Sequence, residues 1–274
     1  MTALTSLYLS SNRLSGGIPP AIGALTSLQQ LFLSKNILAE SIPTEMGKLL
    51  QLQSLHLDNN EVVGSIPDAL SALTNLDHLS MAANHLVGAV PNFLTSFVLL
   101  THLYLHSNRL VGSIPAHLSR CVHMEELSLS DNLLTGELPS SMGAMTNLRS
   151  LDLNDNNFTG SIPASIGSLK SLTYLNLCLT NLAGTIPTTI TKLRHLSHLY
   201  VYPTATPCGA GRCEVVQYSG TAFCRACTKF CDTCTKVARA PPECKKKRRL
   251  CSSNSCPGRI CIPFIRSCKG FKCI

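Results

Sequence analysis

A 24-residue repeat is the feature that most constrains how this chain can fold. Asparagine recurs at every 24th residue from Asn12 to Asn156, and proline recurs with the same interval from Pro19 to Pro187. Two apolar residues separated by one other residue precede each asparagine, as Leu7 and Leu9 do. Because unrelated sequence does not hold such columns in register, the chain is predicted to stack one structural unit on the next.

Each unit is predicted to supply one strand of a parallel sheet. The alternating leucines would point into the core, and the residues between them would point outward. The asparagine stands where the chain leaves the strand, so its amide is expected to bond backbone groups that the turn leaves unpaired. The proline has a restricted φ and no N–H, which indicates a bend. A short helical or 3₁₀ stretch such as Ala21–Leu25 is expected to close the turn.

The unit resembles the leucine-rich repeat in its 24-residue plant-type form. Residues 4–19 read Leu-Thr-Ser-Leu-Tyr-Leu-Ser-Ser-Asn-Arg-Leu-Ser-Gly-Gly-Ile-Pro, and the pattern continues to about residue 203. The resemblance implies an α/β solenoid shaped as a horseshoe, with the parallel sheet on the concave side and a second short strand near Gly-x-Ile-Pro. Glu40 replaces the glycine of that piece, and Thr180 replaces the asparagine of the last full repeat.

Charge and cysteine content divide the chain into two predicted domains. Residues 1–203 carry 9 Lys and Arg against 12 Asp and Glu, whereas residues 204–274 carry 14 against 3 and hold 12 of the 14 cysteines. The first domain is the repeat solenoid, and the second is predicted to be a small, basic, irregular module held by disulfides. The disulfide candidates are Cys208, Cys213, Cys224, Cys227, Cys231, Cys234, Cys244, Cys251, Cys256, Cys261, Cys268 and Cys273. Their pairing stays open, and zinc held by the two Cys-x2-Cys hooks between Cys224 and Cys234 is the alternative.

A basic run lies within this second domain. It consists of Lys245, Lys246, Lys247, Arg248 and Arg249. Such a run is able to bind a polyanionic glycan, an acidic surface or nucleic acid, and it also fits an exposed loop of a disulfide module. A polyanion is therefore one candidate partner.

The outward residues of the predicted strands form the candidate ligand-binding face. Neighbouring strands lie about 4.8 Å apart, so side chains in equivalent positions of successive repeats are close together. Aromatic and histidine side chains combine apolar area with polar tips, which suits recognition of a protein, peptide or glycan. The candidate residues are Tyr8, Phe32, His56, His78, His102, Tyr104, His106, Glu126 and Asp152, with Asp131 and Asp155 extending the acidic part. An ordinary solvated face is the alternative, and a metal site of His78, His102 and His106 is a less favoured one.

No catalytic constellation is recognisable in the sequence. There is no glycine-rich phosphate loop or kinase motif, and Asp77 and His78 are expected to point to opposite faces of a strand. No catalytic residue, cofactor or metal is therefore assigned. The two cysteines of the repeats, Cys121 at a core position and Cys178 at the concave edge, are more than two repeats apart and too distant to pair. On the outer side, a column of small residues is similar to the arrays of ice-binding solenoids: Val63, Val87, Val111, Thr135 and Thr159.

The predicted function is non-catalytic, receptor-like recognition of a protein, peptide or glycan at the cell surface or outside the cell. The resemblance points to receptor-kinase ectodomains, receptor-like proteins and polygalacturonase-inhibiting proteins. An inhibitor of that kind, a structural or ice-binding solenoid, and a fragment of a receptor kinase are the alternatives. Asn157-Phe158-Thr159 is a glycosylation sequon in a secreted chain. No apolar stretch reaches the 18 residues that suggest a transmembrane helix. The chain begins inside a repeat without a signal peptide, so truncation of an N-terminal cap is expected.

Overall fold

The protein is a stack of 24-residue turns with one long sheet along its concave side. The computed structural model describes residues 3–201, 214–217, 261–263 and 271–273. Strands from consecutive repeats pair in parallel at intervals of 24 residues, for example Leu7 with Leu31. The strands of this concave sheet are β1 (Ser6–Tyr8), β3 (Gln30–Phe32), β5 (Ser54–His56), β7 (His78–Ser80), β9 (His102–Tyr104), β11 (Glu126–Ser128), β13 (Ser150–Asp152), β15 (Tyr174–Asn176) and β16 (His198–Val201).

A second set of short strands follows the concave ones within each repeat, as the resemblance implies. These outer strands are β2 (Ser15–Gly16), β4 (Ile37–Leu38), β6 (Val63–Ser65), β8 (His85–Ala89), β10 (Arg109–Gly112), β12 (Leu133–Glu137) and β14 (Asn157–Thr159). A proline then leads into one turn of 3₁₀ helix, which returns the chain to the next repeat. The 3₁₀ turns are Pro20–Ala24, Thr44–Lys48, Asp68–Ala72, Asn92–Ser96, Ala116–Arg120, Ser140–Ala144, Ala164–Ser168 and Thr188–Lys192.

The leucine columns form one continuous core along the solenoid. Strand leucines such as Leu31, Leu55 and Leu103 have no exposed surface, which confirms their predicted inward direction. Phe97 and Phe158 are the largest fully buried side chains. Since every repeat buries its apolar side against its neighbours, stability comes from contacts between adjacent repeats rather than from any single unit.

The repeated asparagines form a buried ladder. Asn60 Nδ2 donates to the carbonyl of Leu57 in its own repeat at 2.9 Å and to that of Leu33 in the preceding repeat at 3.0 Å. Its Oδ1 accepts the backbone N–H of Leu38 at 3.1 Å. The pattern recurs at each asparagine from Asn36 to Asn156. These bonds satisfy backbone groups that the turn removes from the sheet, as predicted from the sequence.

Glu40 coincides with a break in the outer sheet. β2 and β4 pair with each other, whereas β6 to β14 form a separate five-stranded sheet. In the later repeats the equivalent residue is a glycine with φ near +80°, as at Gly64 and Gly112. This left-handed conformation is unfavourable for a glutamate such as Glu40, because its Cβ clashes with the backbone at positive φ. β4 therefore ends at Leu38, and a single bridge between Ser41 and Val63 connects the two sheets.

Beyond Val201 the structure describes only three short strands. β17 (Glu214–Gln217) adds to the concave sheet antiparallel to β16, and β18 (Cys261–Pro263) pairs with β19 (Phe271–Cys273). The other ten tail cysteines and the basic run lie outside the described residues, so the predicted disulfides and polyanion site stay predictions. Among the residues that the structure describes, no helix is long and apolar enough to cross a membrane.

Candidate ligand-binding face

The predicted site residues lie on or directly after the strands of the concave sheet. Tyr8, on β1, is 62% exposed, whereas the other eight are partly buried against one another. Because the strands pair without any shift between repeats, the same positions of successive repeats lie side by side. The ring contacts among these residues divide them into two rows rather than one patch.

The first row is a stack of three rings in the middle column of the sheet. The ring centroids of Tyr8 and Phe32 are 4.9 Å apart, and those of Phe32 and His56 are 4.4 Å apart. Gln30 lies beside this row and accepts a hydrogen bond from the Tyr8 hydroxyl. Since stacked rings shield one another's faces, the row presents ring edges and polar tips to a ligand.

The second row runs over β7 and β9. The rings of His78 and His102 stack at 4.2 Å, and Tyr104 contacts both His102 at 6.1 Å and His106 at 6.3 Å. Burial, together with the neighbouring His78, lowers the pKa of His102. The Nδ1 atom of His106 is buried without a hydrogen-bond partner among the described residues.

The expectation that Asp77 and His78 point to opposite faces is wrong. Asp77 Oδ1 lies 2.8 Å from His78 Nδ1, because Asp77 precedes β7 and the alternation of strand residues does not apply to it. The hydroxyl of Ser54 donates to the same carboxylate oxygen at 3.3 Å. The serine is thus bonded to the aspartate and not to the histidine, an arrangement that does not activate a nucleophile.

Asp58 organises the polar part of the face, and the sequence did not single it out. Its Oδ1 accepts hydrogen bonds from the hydroxyls of Ser34 at 2.7 Å and Ser80 at 3.0 Å, and its Oδ2 accepts one from Asn59 at 2.9 Å. Burial acts to raise the pKa of Asp58, but these three hydrogen bonds and one from its own backbone N–H outweigh it and hold the pKa below its ordinary value. His56 lies 3.9 Å away and has a pKa lowered by burial. At neutral pH the carboxylate is therefore ionised beside a neutral imidazole.

The acidic half of the face begins at β11. The Tyr104 hydroxyl donates a hydrogen bond to Glu126. Burial is the larger cause that raises the pKa of Tyr104, and the bond to Glu126 raises it further. Asp152 is more enclosed, and burial raises its pKa. Asp131 and Asp155 are exposed in the turns just before the ladder asparagines.

A further ring group at the other end of the sheet was missed by the sequence prediction. Tyr174 lies 5.4 Å from Tyr200 and 6.3 Å from His198, between centroids. Its hydroxyl donates to Asp152 at 3.4 Å. Tyr174, His198 and Tyr200 stand at outward positions of the predicted strands, and their aromatic rings were the sequence signal that would have identified them.

Charge on the concave side is predominantly negative. Within the described residues, the one ion pair that involves a lysine or arginine joins Arg149 to Glu125 at 3.2 Å. The other two contacts of this kind pair a histidine with an aspartate, His56 with Asp58 and His78 with Asp77. Asp58 and Asp152 thus lack a permanently charged partner in the described part of the chain.

No group of three His, Cys, Asp or Glu residues in the described part of the chain is placed to hold a metal ion, so the alternative of a metal site at His78, His102 and His106 gains no support.

The outer sheet does not form the regular lattice that the column of small residues suggested. Its strands pair with a shift of two residues per repeat, so Val63 lies opposite His85 and Val87 lies opposite Arg109. With a rise of about 3.3 Å per residue and about 4.8 Å between strands, the column residues of neighbouring repeats are about 8 Å apart. Charged and bulky side chains therefore interrupt the surface expected for ice binding.

Three other predicted residues are located by the structure. Asn157 is exposed on β14, the edge strand of the outer sheet, and is therefore accessible for the predicted glycosylation. Cys121 is fully buried, as predicted, and burial raises the pKa of its thiol to about 11. Cys178 is also buried rather than open at the concave edge, because small side chains at this position, such as Ala82, lie beneath their neighbours.

Comparison with known proteins identifies the repeat. Family models described as leucine rich repeats match residues 2–44, 51–73 and 98–158. No curated protein matches the chain in sequence.

Solved structures of plant proteins resemble the chain. The plant peptide hormone receptor RGFR1 in complex with RGF2 is 37% identical, with a TM-score of 0.70, over 71% of this chain and 31% of that one. A second similar structure is the ectodomain of the membrane receptor kinase GASSHO1/SCHENGEN3 from Arabidopsis thaliana, in complex with Casparian strip integrity factor 2. It is 40% identical with a TM-score of 0.70, and the match covers 70% of this chain and 23% of that one. A plant ice-binding protein is 28% identical, with a TM-score of 0.51, over 66% and 74%. The chain thus spans about a quarter to a third of the two receptors.

Proposed function

Since the chain belongs to the plant-type leucine-rich-repeat family, we propose that it is a non-catalytic recognition protein that binds an extended peptide segment along its concave face. The observation that carries the proposal is the pair of ring rows across β1 to β9, flanked by half-buried carboxylates. Rings and partly desolvated polar groups are the side chains that dominate binding energy at interfaces. The outer sheet offers no comparable concentration of rings among the described residues.

The dimensions of the face fit a short peptide. Five concave strands carry the two ring rows, and at about 4.8 Å per strand they span about 19 Å. An extended peptide advances about 3.3 Å per residue, so about six of its residues cover this distance. A ligand crossing the strands meets a new repeat roughly every one and a half residues, which allows each repeat to contact a different ligand side chain.

Similarity to the two plant receptors supports a peptide ligand. Both are described with a bound peptide hormone or factor, and both share the repeat geometry of this chain. Because the chain corresponds to less than a third of either receptor, the match does not transfer their ligands or signalling partners. An extracellular location, glycosylation at Asn157 and a separate disulfide-bonded module in residues 204–274 are parts of the same proposal.

Selection from a displayed random dodecapeptide library on the immobilised full chain tests the proposal. Enriched peptides are synthesised, and their dissociation constants are measured by calorimetry. His102→Ala removes a stacked ring of the concave face and is expected to weaken binding about tenfold or more, as for other central interface residues. His85→Ala is the matched control, because His85 is an exposed histidine on the outer strand β8.

Equal affinity of the His102→Ala and His85→Ala variants would contradict binding at the concave face. If no peptide is enriched, the peptide proposal fails. Inhibition of a polygalacturonase by the full chain would then favour the inhibitor role, which uses a protein partner instead.

A further inference from the structure

Two histidines stack at equivalent positions of neighbouring concave strands, and they add a specificity to the proposed function on which this inference rests. His78 on β7 pairs in register with His102 on β9, and their rings lie 4.2 Å apart with an angle of 11° between the ring planes. The side chain of His78 is 38% exposed, and His102 is also partly exposed. This histidine pair, His78 and His102, is therefore accessible from the concave side.

The hydroxyl of Thr101 decides which nitrogen of His102 carries the proton. Thr101 Oγ1 donates its single proton to the carbonyl of Asp77 at 2.9 Å. The same oxygen lies 2.8 Å from His102 Nδ1, and this contact is a hydrogen bond only if Nδ1 is the donor. Because a neutral imidazole has one N–H, the lone pair of neutral His102 is then on Nε2.

Asp77 orients His78 in the same way. Its Oδ1 lies 2.8 Å from His78 Nδ1 and also accepts the hydroxyl of Ser54 at 3.3 Å. Since a carboxylate only accepts hydrogen bonds, Nδ1 of His78 is the donor. Nε2, the ring nitrogen farther from the backbone, has no hydrogen-bond partner in either histidine within the part of the chain that the structure describes. The histidine pair thus presents two acceptor nitrogens side by side.

The spacing of the two acceptors fits a primary ammonium group. The rings are nearly parallel and each Nδ1 is bonded to the residue before it, so the two Nε2 atoms are separated by about the ring spacing of 4.2 Å. For a donor nitrogen about 2.9 Å from both acceptors, this separation corresponds to an angle of about 90° at the donor, which the diverging N–H bonds of –NH3+ accommodate. The parallel N–H groups of a guanidinium instead match the two oxygens of one carboxylate.

The surroundings of the histidine pair favour a positive charge. The titratable and charged groups nearest to it belong to three neighbouring strands and the residues beside them: His56, Asp58, Asp77, Tyr104, Glu125 and Glu126. Four of these six are carboxylates. Arg149 pairs with Glu125 at 3.2 Å and leaves the others without a lysine or arginine partner among the described residues. A cation is therefore attracted to the pair, whereas a carboxylate of the ligand is repelled.

We propose that the histidine pair receives a primary ammonium group of the peptide ligand, with Nε2 of His78 and Nε2 of His102 each accepting one of its N–H bonds. A lysine side chain and the N-terminal amine of the peptide have this same chemistry. Asp77 and Thr101 are positioning residues, because they hold both lone pairs toward the ligand. The geometry thus makes His78 and His102 the specificity-determining residues of this part of the face.

The same arrangement makes binding sensitive to pH. Imidazoles in general become cations with a proton on Nε2 below about pH 6.5, so the acceptors become donors and repel the ammonium group. Affinity should therefore fall between pH 7.5 and pH 5. Burial and the neighbouring His78 lower the pKa of His102, so His102 keeps its lone pair to lower pH than an ordinary histidine.

Peptides enriched on the full chain provide the probe. Replacing the bound lysine with trimethyllysine keeps the charge but removes every N–H donor, and this change is expected to raise the dissociation constant about tenfold or more. Acetylation of the lysine removes the charge and should cause at least the same loss. If the N-terminal amine is the bound group, acetylation of that amine causes the loss and the lysine changes do not.

Variants of the chain locate the ammonium group. His102→Phe keeps a stacked ring but removes the acceptor, so it should weaken binding as trimethyllysine does, and the two changes together should cost little more than either alone. His198→Phe is the matched control, because the Ser197 hydroxyl orients His198 as Thr101 orients His102, but His198 pairs in register with Tyr174 rather than with a second histidine. Circular dichroism of each variant controls for folding.

Nitrogen-15 NMR of the imidazoles tests the positioning without a ligand. At pH 7.5 His102 is expected to carry its proton on Nδ1, and Thr101→Val should give a mixture of both tautomers because the fixed acceptor is lost. A proton on Nε2 of His102 in the unmodified chain would overturn the proposal.

Affinity that withstands both lysine trimethylation and acetylation of the N-terminal amine, but is still lost in His102→Ala, would overturn the ammonium site and leave the proposed function standing. Equal affinity at pH 7.5 and pH 5 would do the same. Failure to enrich any peptide would overturn both proposals.

Discussion

Replacement of a ladder asparagine should destabilise the solenoid far more than replacement of the first asparagine of the series. Asn108 lies at the centre of the ladder, where its Nδ2 donates to the carbonyls of Met81 at 3.0 Å and Leu105 at 3.1 Å. Its Oδ1 accepts the N–H of Leu86 at 2.9 Å. Asn108→Ala removes these three bonds from a buried site, together with a longer one from Nδ2 to the carbonyl of His106 at 3.2 Å.

The magnitude follows from which groups lose their last partner. Both carbonyls keep a second asparagine, since Asn84 donates to Met81 and Asn132 donates to Leu105. The N–H of Leu86 loses its asparagine acceptor inside the core, at about 1–3 kcal/mol, and the two other bonds contribute about 1 kcal/mol each. The expected loss is about 3–5 kcal/mol in the free energy of unfolding.

Urea unfolding followed by circular dichroism measures this loss. Asn12→Ala is the matched control, because Asn12 is exposed and donates only to the carbonyls of Leu9 and Ser10. Its loss is expected to stay below about 1 kcal/mol. Equal losses for the two variants, or a loss below about 1 kcal/mol for Asn108→Ala, would refute the reasoning that the ladder satisfies otherwise unpaired backbone groups.

Three other outcomes are expected. Burial lowers the native pKa of His56 and His102 from 6.5, so the unfolded chain binds more protons than the native chain below that pH. The free energy of unfolding should therefore fall as the pH drops through about 6.5, and it should level off below the native pKa. Denaturation at a series of pH values measures this change. Cys121, with a thiol pKa of about 11, should resist iodoacetamide at pH 8 in the folded chain and react in urea, and fast labelling of the native protein would contradict its burial. The shifted outer sheet should give no thermal hysteresis in ice-growth measurements, and a clear hysteresis would restore the ice-binding alternative.

The sequence predicted the core and the asparagine ladder because both depend on the repeat period alone. Once the columns are aligned, the alternation around Leu103 and Leu105 and the position of Asn108 define what is buried in every turn. The outer sheet could not be predicted in the same way. Its shift of two residues between strands, and its break at Glu40, depend on the φ angle available at one position per repeat.

The candidate site was predicted by position but not by arrangement. The outward columns identified the ring-bearing residues, yet which rings stack depends on side-chain directions, so His56 joins Phe32 while His78 joins His102. Asp58 was overlooked because its importance arises from hydroxyls of two other repeats. Hydrogen-bond networks that join residues 22 or 24 positions apart become visible only after the strands are placed.

Photo-crosslinking of a selected peptide to the full chain tests the central claim most directly. The peptide carries a benzophenone side chain near its centre, and mass spectrometry of the crosslinked digest identifies the attachment point. Crosslinks within residues 54–58, 78–82 or 102–106 are predicted, because these segments carry the ring residues from His56 to His106. Crosslinks confined to the outer strands or the 3₁₀ turns would contradict recognition by the concave face.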